Sequence, residues 1–78
     1  MPRFFFHARD GDQRLDDPEG TDLPDLDAAR AEAAVAAREI AAERIKRGQT
    51  LDGQSLEIGD EGGRTLATVR LADAARLP

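Results

Sequence analysis

Apolar and polar residues alternate along this chain in three stretches and recur with helical spacing in one. In Arg3–Arg9, Phe4, Phe6 and Ala8 fall on one side of a pleat, and Arg3, Phe5, His7 and Arg9 on the other, which predicts a strand. Asp10-Gly11 is a hairpin signal, because glycine accepts the positive φ of a tight turn. A short second strand follows around Gln13–Asp16, with Leu15 its single apolar anchor. The acidic run D-D-P-E-G-T-D-L-P, punctuated by Pro18, Gly20 and Pro24, reads as a loop. From about Leu26 to Arg47 the period becomes helical. Leu26, Ala29, Ala33, Ala37 and Ile40 form the core stripe, which drifts toward Ala41 and Ile45. Such a helix is roughly 33 Å long at about 1.5 Å per residue.

Its ends are marked. Asp25 is placed to accept hydrogen bonds from the free amides of the first turn, and Asp27 adds negative charge at the positive end of the helix dipole. Arg44, Lys46 and Arg47 sit near the negative end, and Gly48 supplies a left-handed stop. Residues 49–54 are a loop with a turn at Asp52-Gly53. A second hairpin follows: Leu56 and Ile58 alternate with Ser55 and Glu57, residues 60–63 turn, and Thr65–Leu71 returns. Ala67, Val69 and Leu71 share one face, and Leu66, Thr68 and Arg70 the other. The tail from Ala72 to Pro78 is expected to fray after at most one helical turn.

The order ββαββ defines an α+β fold, one long helix packed on a small antiparallel sheet, in a single domain over residues 1–78. The Phe4/Phe6 face, with Leu56, Ile58 and the Val69 face, is expected beneath the helix. A one-residue slip of the pleat would exchange Phe5 for its neighbours. Strand order stays open at this level.

Composition changes the picture in one respect. Seventy-eight residues with three Phe, no Tyr, no Trp and no Cys make a thin core with no disulfide to staple it. A second copy of the chain is the simplest way to bury more apolar surface, so a homodimer is expected. Ala28, Ala31, Val35 and Ala42 form a second apolar strip across the helix, and these, with Phe5 if it faces outward, are the candidate interface. No run approaches a membrane helix, and the short apolar start falls below a signal-peptide core. Together with the lack of Cys, this leads to an expected cytoplasmic location.

The net charge of −5 argues against nonspecific nucleic-acid binding. Its distribution is uneven: residues 10–27 carry eight acids against Arg14, and residues 30–47 five bases against three acids. His7 is the sole histidine and the one side chain whose ordinary titration range lies near neutrality. As a general base it would need a partner such as Asp10 or Asp12 and an activated nucleophile, and the lone Ser55 carries no such signal. The bland alternative is an ordinary strand histidine.

The Asp10–Glu19 acids do not fit a calcium loop, since Gly11 and Arg14 fall at the wrong positions. Gly59, Gly62 and Gly63 lack the lysine of a phosphate loop and read as a turn. Arg3, Arg9, Arg64 and Arg70 can be grouped as a basic sheet face, without the aromatic platform that single strands stack on. No cofactor and no metal are expected.

Three segments carry a resemblance: M-P-R-F-F-F-H at Met1–His7, E-G-T-D-L-P-D-L-D-A-A-R-A-E-A at Glu19–Ala33, and I-G-D-E-G-G-R-T-L at Ile58–Leu66. In these the chain resembles a family of short, uncharacterised alphaproteobacterial proteins classed as a domain of unknown function. The resemblance implies a soluble bacterial single-domain protein and carries no activity. The functional expectation is a non-catalytic protein-interaction module, homodimeric and cytoplasmic, acting through a sheet edge or the outer face of the helix. The alternatives are an antitoxin-like, nucleic-acid-associated regulator and, third, an enzyme using His7.

Overall fold

In the computed structural model, which describes residues 1–76, the chain runs β1 (Arg3–Asp10), β2 (Gln13–Leu15), β3 (Thr21–Asp22), α1 (Leu26–Lys46), β4 (Gln54–Gly59), β5 (Thr65–Arg70) and α2 (Leu71–Ala74). The class is α+β as the pattern predicts, and the strands are antiparallel in the order β2-β1-β4-β5. The two-residue strand β3, inside the expected loop, pairs with Arg3 and Phe4 at the start of β1. β2 and β3 therefore share one edge of the sheet, and β5 forms the other.

The helix ends where its capping chemistry places them. Asp25 accepts from the Ala28 amide at 2.8 Å, and Gly48 follows the C-cap Arg47 with φ of +73°. The buried line of α1 is Ala29, Ala33, Ala37 and Ala41, one small residue per turn, which lets the helix lie close on the sheet. Bulk comes instead from Phe4, Leu56, Ile58 and Leu71. Phe4 and Ile58 pack with Ala29 and Ala33. Leu56 and Leu71 pack with Ala37, Ala41 and Ala74. The Phe4/Phe6 face of β1 therefore lies under the helix, and Phe5 faces away with His7.

Three further details differ from the sequence reading. The core stripe keeps Ala41 but not Ile40 or Ile45, which are exposed, and Leu26 is half-buried. An i, i+4 stripe precesses around a helix with 3.6 residues per turn. By Ala37–Ala41 it has turned away from Ile40, and Ile45 lies beyond the last buried position.

A register shift on β5 pairs Ile58 with Ala67 but Gly59 with Thr65. Leu66 is the extra residue of this bulge and packs with Ala67 against the Phe4 cluster, so the two do not take opposite faces.

The tail does not fray at its start. Leu71 and Ala74 are buried, and Arg38 Nε donates to the Ala74 carbonyl at 3.1 Å. The last two residues of the expected frayed tail, 77 and 78, lie outside the described residues.

Candidate functional site

The outward face of the sheet carries the sole histidine. His7 Nδ1 accepts a hydrogen bond from the Asp17 amide at 3.0 Å, so the neutral ring bears its proton on Nε2. Nε2 lies against Gly59, where a Cβ would approach to 3.1 Å. Asp16 Oδ1, 3.7 Å from Nδ1, is a neighbour rather than a bonded partner, because Nδ1 has no proton to offer. The Phe5 ring lies parallel to His7 with centroids 6.2 Å apart.

Asp17 turns the acidic loop over this pair. Its carboxylate accepts from the amides of Phe6 at 3.2 Å, Glu19 at 3.1 Å and Gly20 at 3.2 Å. Burial pushes this carboxyl up, but those three amides outweigh it and hold it below its ordinary value. Gly20, with φ of +74°, lets the loop pass close to Arg3 and Phe5. His7 is thus a covered structural residue with 13% side-chain exposure, and it lines neither of the two clefts described below. Asp10 and Asp12, its expected partners, are not the groups that meet it.

Three of the four arginines grouped as a basic face, Arg3, Arg9 and Arg70, meet carboxylates instead. Arg9 Nε lies 2.6 Å from Glu57, which also takes Arg14 at 3.3 Å. Arg14 reaches Asp16 at 2.7 Å, Arg3 reaches Asp22 at 3.0 Å, and Arg70 lies 3.5 Å from Asp73. The hydrogen bond from Arg9, with that from Arg14, holds the Glu57 carboxyl below its ordinary value. Arg64, in the β4–β5 turn, is exposed. Among the described residues no three His, Cys, Asp or Glu side chains are grouped as a metal site.

The helix side holds the larger cleft, about 330 Å³. It opens because α1 lies over β4 and β5 and meets β1 chiefly around Phe4, leaving β2 and the Ala8–Asp10 end of β1 uncovered. Leu15 and Gln13 form one wall, Ile40 and Arg44 the other, and Ala8, Leu56 and Leu71 also line it. Leu15 is 76% exposed and Ile40 38%, so the anchor of β2 and a residue assigned to the core both present apolar surface. At one end Gln54 Nε2 donates to Asp10 at 2.9 Å, while Gln54 Oε1 is buried without a partner among the described residues. A second cleft, about 270 Å³, lies between the 51–53 loop and the β5–α2 junction.

The candidate interface residues are not brought together as one surface. Ala31, Val35 and Ala42 are exposed and Ala28 half-buried on the helix, while Phe5 is half-buried on the opposite side of the sheet under the acidic loop. Sequence reasoning did not find the cleft. The signal available was Leu15, a lone leucine on a strand the helix is too narrow to cover.

Fold and surface together define the class of this protein: a helix-on-sheet α+β domain with an ion-paired outer face and an apolar cleft beside its helix. The chain belongs to the family described as domain of unknown function (DUF6894), whose family model matches residues 3–72. No curated protein and no solved structure gives a significant match. No described helix is long and apolar enough to cross a membrane.

Proposed function

We propose that the protein is a non-catalytic interaction module that works as a homodimer. The observation supporting this reading is the uncovered apolar cleft beside α1, with Leu15 and Ile40 at the surface of a chain whose helix contributes only alanines to the buried core. A thin core and exposed large apolar side chains are what a small domain carries when a partner completes its burial. The enzyme reading draws nothing from His7, whose Nδ1 is occupied by a backbone amide and whose ring is roofed by a loop. The nucleic-acid reading is weakened by the carboxylates beside Arg3, Arg9 and Arg70. Sedimentation equilibrium tests the proposal. A mass approaching twice 8.4 kDa with rising concentration is expected. A mass fixed at 8.4 kDa up to near-millimolar chain contradicts it.

A further inference from the structure

The cleft beside α1 separates two lips of opposite charge. On the β1–β2 side Asp10 lines it, and Asp12 stands in the adjoining turn. On the helix side Arg44 lines it, and Arg47 follows at the end of the same helix. Arg9 and Arg14 also border the cleft on the β1–β2 side, but both guanidiniums are engaged with Glu57, and that of Arg14 with Asp16 as well. The Asp10 carboxylate accepts one hydrogen bond, from Gln54. Arg44 Nε donates to the Thr50 carbonyl at 3.0 Å, and its terminal nitrogens make no hydrogen bond among the described residues. Leu15 on the one wall and Ile40 on the other supply the apolar surface of the cleft.

An acidic lip, an apolar centre and a basic lip form a pattern that complements itself on two-fold rotation. In a symmetric dimer the same patch meets its own copy, so each contact occurs twice. From this we infer that the cleft is the homodimer interface, occupied by a second copy of the chain. The partner's acidic hairpin end sits against Arg44 and Arg47, and its basic helix end against Asp10 and Asp12. Leu15 and Ile40 of the two copies meet at the centre.

This inference rests on the homodimer reading and specifies its surface. A second copy fits better than an unrelated partner because both halves of the charge complementarity are present on this one chain. A standard interface takes about 800 Å² per partner. That is a modest share of the 5344 Å² surface, and the molecule measures 38 × 29 Å across its broad face.

Leu15→Ser removes the most exposed apolar contact without touching the core. The dimer dissociation constant should rise at least about tenfold, as for a central interface residue, with the thermal melt unchanged at low concentration. Charge exchange supplies the independent check. Asp12→Lys and Arg44→Glu should each weaken self-association, and an equimolar mixture of the two should associate more tightly than either alone. Added salt should reduce that gain. Since Arg44→Glu also loses the Thr50 contact, Arg47→Glu serves as a second basic-lip variant. A dimer indifferent to Leu15→Ser, with no gain on mixing, overturns this interface while leaving the homodimer reading intact. A wild-type monomer overturns both.

Discussion

Replacing Leu71 with Ala tests whether the short C-terminal turn is part of the core or a loose end. Leu71 is 2% exposed and packs with Leu56, Ala37, Ala41 and Ala74. Three of those four neighbours are alanines and cannot swing inward to fill the space, so the site collapses poorly. Leu→Ala in such a setting costs about 2–5 kcal/mol. A chain of this length has about 4–12 kcal/mol of stability in total, at about 0.05–0.15 kcal/mol per residue. A loss near the middle of the range, about 3 kcal/mol, should lower the melting temperature by about 12–24 °C.

With no Trp or Tyr to report by fluorescence, urea unfolding followed by far-ultraviolet circular dichroism is the suitable assay. Protein concentration must be held fixed, because association stabilises the folded state. The exposed Ile45→Ala is the control, expected to stay within about 0.5 kcal/mol of the parent. A Leu71→Ala chain equally close to the parent would falsify the docked turn.

Asp17→Ala removes the acceptor for three amides, two of them, those of Phe6 and Gly20, part-buried. A loss of about 1–3 kcal/mol in denaturant unfolding is expected; parent-like stability would show that the loop is held by other means. Gly20→Ala should also destabilise the chain, because φ is +74° and the new Cβ would meet Phe5 and Arg3 at 2.8 Å. An unchanged melt would mean both neighbours give way at no cost. Acid should weaken the fold through Asp17 and Glu57, both held below their ordinary values in the folded chain. Their contribution is full above the unfolded carboxyl range near about 4 and is lost as pH falls through the lower folded values. Stability that stays flat through that window in a urea series contradicts the assignment.

Legibility in the sequence followed the length scale of the interaction. The cap at Asp25, the stop at Gly48 and the hairpin at Asp10-Gly11 depend on a few adjacent residues, and the structure has them where the pattern places them. The two faces of β1 were readable from the alternation of Phe4 and Phe6 with Phe5 and His7, whereas which face meets the helix is fixed by packing against Ala29 and Ala33. Ile40 was misassigned because the i, i+4 line of Ala29, Ala33, Ala37 and Ala41 precesses away from it, and which of two neighbouring lines is buried is decided by how the helix lies on the sheet. The Leu66 bulge was invisible because one extra residue in a strand leaves no mark on composition. Asp17 looked like one more solvated acid among eight, and its importance arises only when the loop folds back onto Phe6 and His7. The cleft combined two such misses, Leu15 standing bare on a strand the helix does not cover and Ile40 displaced from the core.

Small-angle X-ray scattering over a concentration series tests the homodimer most directly. The account predicts a forward-scattering mass that rises from 8.4 kDa toward twice that value. The radius of gyration should grow with it beyond the 12.3 Å of the single chain. A mass that stays at 8.4 kDa, with a radius near 12.3 Å at every concentration, contradicts it.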